Sequence, residues 1–216
     1  MGRIQAVVFD MDGLLVDSEP LWQEARIAAF GADRLRWTEA DQHRVMGSAT
    51  EEWAVFLAER LDHAYSADEI IERVLAEMEQ AYRRHVPLLP GAQQVIAQVA
   101  AVYPVAIASG SPRRLVNAVL DATGWRDVFP VVVCSDDVQR GKPAPDAYLE
   151  VAARLGTAPD TLAVFEDSAN GILAGLAAGA YVIAVPNHYA QPPGDVLRQA
   201  DRVLGSLSEF SLGLLP

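Results

Sequence analysis

Two aspartates one residue apart, followed by a glycine, close the first apolar run of the chain as Asp10-Met11-Asp12-Gly13. Three later apolar runs lead into polar groups that complement them. Ser109-Gly110-Ser111 follows the second, Lys142 lies in the loop GKPAPD after the third, and Glu166-Asp167-Ser168 follows the fourth. Carboxylates, a hydroxyl and one ammonium are thus offered to a single crevice. Crowded carboxylates repel one another and shift to neutral forms unless a cation joins them. A hard dication with oxygen ligands meets that need, and Mg²⁺ suits a site that also holds phosphate oxygens. One carboxylate can then attack phosphorus, because phosphoryl transfer needs mainly positioning and charge neutralisation. A second carboxyl can protonate the leaving oxygen and later activate water. A serine hydroxyl and a lysine would hold the non-bridging oxygens.

Taken one at a time, these residues have plainer explanations. An aspartate after a strand often caps the next turn or helix, which is the reading for Asp17, Asp136, Asp137 and Asp146. Ser109-Gly110-Ser111-Pro112 is an ordinary turn with a helix start, Lys142 a solvated lysine, and Glu166-Asp167-Ser168 an acidic helix N-terminus. The catalytic reading rests on all four groups falling at successive strand ends. Gly13 adds to it, since a glycine lets the chain bend where a Cβ would clash.

The elements that must position these groups are legible as apolar runs. Ile4 to Phe9, Val105 to Ala108, Val131 to Cys134, Leu162 to Phe165 and Tyr181 to Val185 read as strands buried on both faces. Between them, Arg113 to Ala122, Asp146 to Leu155 and Ser168 to Ala178 read as helices. This alternation predicts an α/β fold, a Rossmann-like parallel sheet with helices on both faces. In such sheets ligands sit beyond the carboxyl ends of the strands. The stretch from about Ser18 to His85 breaks the rhythm. It has no strand pattern, and Ile70, Ile71, Val74, Leu75 and Met78 recur at helical spacing. It predicts an all-helical insert after the first strand. Two prolines and a glycine in VPLLPG, Val86 to Gly91, mark a hinge back into the sheet. The expected division is a core of residues 1–17 and 86–216 and a helical cap of residues 18–85.

Composition bounds the partners. The chain has 216 residues, 51% of them apolar and 21% charged, and a net charge of −12. A negative field repels nucleic acid and anionic membranes, so neither is expected as a partner. The same field disfavours phosphate, so a metal ion or local cations must reverse it at the site. The single cysteine, Cys134, can form no internal disulfide, and its valine neighbours predict an inert buried thiol. The N-terminal MGRIQAVVFDMDG has the form of neither a signal peptide nor a membrane span, which makes the cytoplasm the expected location.

DMDGLLVDSEP resembles the first motif, DxDGxxxDS, of the haloacid dehalogenase superfamily. ASGSP with Ser109, KPAPD with Lys142, and FEDSANG at Phe165 to Gly171 resemble its second, third and fourth motifs, in the family's order. The resemblance implies a Rossmann-like core with a mobile cap, here similar to the four-helix cap of the β-phosphoglucomutase-like subgroup. It implies Asp10 as the nucleophile that carries the phosphoryl group. It implies Asp12 as general acid and base, with its backbone carbonyl on the Mg²⁺ that Asp10 also binds. Asp167 would be a further metal ligand, and Glu166 either a direct ligand or one step behind it. Ser109, Gly110 and Lys142 would bind the phosphoryl group. Dehalogenases lack an acid at the position of Asp12.

The subgroup contains mutases and phosphatases. Mutases carry a histidine shortly after the DS pair, where this chain has Trp22, and a cap arginine, for which the stretch near Thr50 offers none. These departures favour hydrolysis over a phosphohexomutase, and the intact set Asp10, Asp12, Ser109, Lys142 and Asp167 speaks against a non-catalytic phosphate-binding protein. DGLLVDSEPLW and PLLPG also resemble bacterial phosphatases of sugar and sugar-alcohol phosphates of the 2-deoxyglucose-6-phosphate phosphatase kind. The expected partner is therefore a small phosphorylated metabolite, and the subgroup implies a monomer. Within the cap, Trp22, Trp37 and Trp53 can stack on a sugar or pack the helices together. Trp22, nearest Asp10 in sequence, is the expected substrate contact. Arg26, Arg34, Arg44, Arg83 and Arg84 can touch a ligand or solvate the cap, and Gly47-Ser48 can form a loop over the site or an ordinary turn.

Overall fold

The computed structural model describes residues 4–31, 35–46, 48 and 50–216. Arg34 and Gly47, two positions of interest in the insert, lie outside them. Six parallel strands form one sheet in the order β3-β2-β1-β4-β5-β6. They are β1 (Ala6–Phe9), β2 (Val105–Ala108), β3 (Val131–Val133), β4 (Leu162–Glu166), β5 (Tyr181–Ala184) and the two-residue β6 (Arg202–Val203). The first five lie within one or two residues of the expected strands. The chain winds outward from β1 through β2 to β3, then returns to the other side of β1 for β4 to β6. The order therefore reverses at β1, the position beyond whose strand end such sheets bind ligands.

The strands are apolar throughout because both faces are covered. Val7 and Phe9, with Ile107 and Phe165, point into one buried layer, which Leu115, Val116 and Val119 of α6 (Arg113–Thr123) and Val95, Ile96 and Val99 of α5 (Ala92–Ala100) complete. Ala6 and Val8 point the other way, with Ala106 and Val164, against Tyr148, Val151 and Ala152 of α7 (Asp146–Leu155) and Ala174 of α8 (Ala169–Ala177). A short helix α9 (Gly194–Leu197) precedes β6. Helices α5 and α9 and strand β6 were not foreseen in the sequence.

Among the described residues four helices separate β1 from α5: α1 (Glu19–Phe30), α2 (Glu39–Val45), α3 (Thr50–Arg60) and α4 (Ala67–Arg84). The stripe read from the sequence is the buried face of α4, where Ile70, Val74, Leu75 and Met78 are covered and Ile71 is half-buried. Ser66 and Glu69 form a reciprocal cap at its start, each side chain satisfying the other residue's backbone N–H. Thr38 and Asp41 do the same for α2. The two chain segments joining insert and sheet run side by side. The Asp17 N–H donates to Pro87 O at 2.8 Å and the Leu89 N–H to Leu15 O at 3.0 Å, on either side of a Val16–Leu88 bridge. Among the described residues no helix is long and apolar enough to cross a membrane.

Candidate active site

Register alone brings the chemistry together. Phe9 pairs with Ile107 on one side and Phe165 on the other, so the next residue, Asp10, leaves the sheet between the ends of β2 and β4. The Asp10 N–H donates to Phe165 O at 3.0 Å and extends the ladder by one step. Gly13 then turns the chain with φ +79°, and a Cβ there would stand 2.3 Å from Asp167 Oδ2 and 2.4 Å from Asn187 Nδ2. Only glycine allows the first and fourth strand ends to approach this closely.

Lys142 reaches in from the GKPAPD loop. Its Nζ lies 2.5 Å from Asp10 Oδ1, 2.5 Å from Glu166 Oε1 and 3.0 Å from Ala108 O. It is not the solvated lysine that its sequence alone allows. Burial works against the ammonium, yet the carboxylates of Asp10 and Glu166 outweigh it and hold the lysine pKa well above its usual value. Glu166 is 0% exposed. Its Oε1 also accepts from Tyr148 OH at 2.5 Å, and its Oε2 from the backbone N–H of Asp167 at 3.1 Å and the Ser168 hydroxyl at 3.2 Å. Gly171 leaves room for this carboxylate, since a Cβ there would lie 1.9–2.0 Å from it.

Asp12 receives a different set of donors. Its Oδ2 accepts from the hydroxyls of Ser111 at 2.7 Å and Ser109 at 3.3 Å, and its Oδ1 from Tyr82 OH at 3.2 Å. Burial, then the neighbouring Asp12 carboxylate, hold the Tyr82 phenol protonated well above its usual pKa. Gly110 is exposed, with open space where its Cβ would stand.

Ligand oxygens of Asp10, Glu166 and Asp167 lie within 4.8 Å of one another. Burial raises the Asp10 carboxyl to about 8 against the pull of Lys142, with the Glu166 and Asp12 carboxylates adding to the rise. Burial, then the charges of Asp10 and Glu166, also lift Asp167 well above the carboxylate range. Three crowded, buried carboxyls with one ammonium among them are short of positive charge, and their hard oxygens fit a divalent cation such as Mg²⁺.

The plainer role holds for two of the other aspartates. Asp136 caps α6 by accepting the Arg113 N–H at 2.5 Å, and Asp137 closes its turn by accepting the Cys134 N–H and pairs with the Arg113 guanidinium, whereas Asp146 pairs with Arg140 and caps nothing. Burial pushes the Cys134 thiol up to about 12, the inert state expected of it. The structure gives Trp22 the packing role rather than an open stacking face. The ring is 9% exposed, 6.0 Å from Trp53, and the buried Arg26 lies over it at 5.3 Å and also over Trp37 and Trp53. Three polar groups of the site were missed in the sequence, Tyr82, Tyr148 and Asn187, and Ser111 was placed at its strand end without a role. Asn187 follows the end of β5, so the strand-end rule applied to β5 would have found it. The tyrosines sit on helix faces that read as plain core.

Residues 4–179 match the family model described as haloacid dehalogenase-like hydrolase. Hexitol phosphatase B of Escherichia coli (strain K12) is 36% identical over 215 residues, 97% of this chain and 95% of that protein. The phosphorylated carbohydrates phosphatase of Thermotoga maritima is 33% identical over 177 residues, 82% of each chain. Among solved structures, CbbY from Rhodobacter sphaeroides in complex with phosphate superimposes with a TM-score of 0.85 at 26% identity, covering 98% of this chain and 99% of that one.

Proposed function

The chain belongs to the haloacid dehalogenase-like hydrolases and is a phosphoric monoester hydrolase, and from that premise we propose that it hydrolyses sugar or sugar-alcohol monophosphates with Mg²⁺ through an aspartyl-phosphate on Asp10. The observation that carries this reading is the convergence of Asp10, Asp12, Asp167 and Lys142 on one buried crevice. The substrate class is that named for the Escherichia coli and Thermotoga maritima relatives.

Asp10 Oδ attacks phosphorus, forming a P–O bond to the carboxylate as the bond to the sugar oxygen breaks. Asp12 gives that oxygen its proton, so a neutral alcohol leaves. Water then attacks the phosphoryl group. Asp12, now a carboxylate, takes the water proton, the bond to Asp10 breaks, and inorganic phosphate leaves. Lys142 and Ser109 hold the non-bridging oxygens. Asp10, the Asp12 carbonyl and Asp167 would hold the cation, which offsets the negative charge of the two carboxylates and the phosphate together. Glu166 already accepts bonds from Lys142, Tyr148 and Ser168. We therefore assign it to the orientation of Lys142, behind the metal rather than on it. The cap is residues 18–85, and one chain supplies every group, which suits a monomer.

The test is phosphate release from hexose, hexitol, nucleotide and glycolate phosphates, each with Mg²⁺ and with EDTA. Mg²⁺-dependent release strongest on a hexose or hexitol phosphate is expected. Release favouring a nucleotide or glycolate phosphate would overturn the substrate class, and full activity in EDTA would overturn the metal.

A further inference from the structure

Helix α4 brings one hydroxyl to the catalytic crevice. Tyr82 lies less than a turn from the end of the helix at Arg84, and its side chain is 0% exposed. Its OH donates to Asp12 Oδ1 at 3.2 Å, while Ser111 and Ser109 donate to Oδ2. The serines belong to the sheet, just past β2, and the tyrosine belongs to the insert. The carboxyl is therefore held from both sides of the paired linkers, where the Asp17 N–H meets Pro87 O and the Leu89 N–H meets Leu15 O. A movement of the insert about those linkers would separate Tyr82 from Asp12 and leave the serines in place.

Packing alone does not account for the hydroxyl. The surrounding helix face is Val74, Leu75 and Met78, where phenylalanine would fill the same space. Burying an O–H against such a face is unfavourable unless it finds a partner, and that partner is the carboxyl that must aim a proton at the leaving oxygen.

We propose that Tyr82 is a positioning residue for the general acid, fixing Asp12 toward the leaving-group oxygen only while α4 is seated on the crevice. The inference rests on the phosphatase reading and on the acid role of Asp12. Tyr82 keeps its own proton throughout, and the proton delivered is that of Asp12. Proton delivery is in this way tied to the seating of the insert, so a substrate that holds the insert closed is also one that meets a correctly aimed acid.

Leaving groups separate this role from a structural one. An alkoxide needs the proton of Asp12 as it departs, whereas p-nitrophenolate leaves without it. Single-turnover release of sorbitol from sorbitol 6-phosphate and of nitrophenolate from p-nitrophenyl phosphate should be compared in the wild type and in Tyr82→Phe, with Mg²⁺ present. General acid catalysis is worth roughly 10²–10⁴-fold, so a loosened acid should slow sorbitol release by about tenfold or more. Nitrophenolate release should change by less than about twofold on the same ground, because it does not draw on the acid. KM and the melting temperature should stay at their wild-type values. In an Asp12→Asn background, Tyr82→Phe should slow sorbitol release no further. Equal slowing on both substrates, or a further loss in the Asp12→Asn background, would assign the tyrosine to structure and overturn the inference. An unchanged rate on both substrates in an active protein would overturn the inference alone. A wild type that releases neither product would overturn it together with the phosphatase reading.

Discussion

Asp10 carries two opposing demands. As a nucleophile it must be ionised, yet burial lifts its pKa from 3.8 to about 8. A carboxyl whose folded pKa is raised binds its proton more tightly in the native state than in the unfolded one. Its contribution to stability is then full below its unfolded pKa and is lost as pH rises through the folded value. Asp167 shifts in the same direction, from burial first and the Asp10 charge second. The metal-free protein should therefore melt at progressively lower temperature as pH rises from about 4 to about 8. A cation bound among these oxygens removes the cause. Mg²⁺ at about a hundred times its dissociation constant should add about 2.7 kcal/mol, and at one fixed concentration its effect on the melting temperature should be larger at pH 8 than at pH 5. A Mg²⁺ shift that is equal at both pH values would contradict a metal held by Asp10 and Asp167.

Elements deliver these residues with little freedom. The sheet fixes Asp10, Ser109 and Glu166 at neighbouring strand ends through the Phe9–Ile107 and Phe9–Phe165 pairings. The Ser168 hydroxyl caps α8 by accepting the Gly171 N–H at 3.1 Å, so the same helix start that cradles Glu166 is pinned by its own cap. A Gly171→Ala substitution drives a methyl into the Glu166 carboxylate, whose atoms lie 1.9–2.0 Å from the new Cβ. Overpacking of this kind costs about 1–3 kcal/mol, and the displaced Glu166 should release Lys142. Activity should fall more than the melting temperature alone explains. An active, fully stable Gly171→Ala protein would show that Glu166 does not orient Lys142.

The same elements show why part of the design was legible. Buried parallel strands are written as β-branched runs, so five of them could be placed to within a residue or two. Their ends carried Asp10, Asp12, Ser109, Lys142, Glu166 and Asp167. Helix α5, AQQVIAQVA, has no cap or charge signal and follows a proline-rich link, and β6 is two exposed residues, so neither stands out as a pattern. Tyr82 and Tyr148 occupy helical core positions, and only the three-dimensional approach of Asp12 and Glu166 distinguishes them from packing. Trp22 packs toward Trp53, because closeness in sequence to Asp10 says nothing of the turn into α1 that directs the ring.

At the scale of the whole molecule, insert and sheet touch through α4 and α6. Arg114 of α6 forms hydrogen bonds to Glu72 at 2.7 Å and to Glu79 at 3.1 Å on α4. Such part-exposed pairs are worth about 0–1 kcal/mol each and are screened by salt, so they hold the insert without locking it. The linkers at Asp17 and at Pro87 to Gly91 are the proposed hinge. Spin labels on the exposed Val55 of the insert and Leu149 of α7 should report a shorter, narrower distance with Mg²⁺ and vanadate than without. Identical distributions in both conditions would contradict a closing cap.

The central claim is a covalent phosphoryl group on Asp10. The wild type should be mixed with its best phosphate monoester and Mg²⁺, quenched in acid within one turnover, digested, and its peptides weighed. The account predicts the mass of one phosphoryl group on the peptide containing Asp10, absent in EDTA and absent in Asp10→Asn. A phosphoryl group on another residue, or turnover retained by Asp10→Asn, would contradict it.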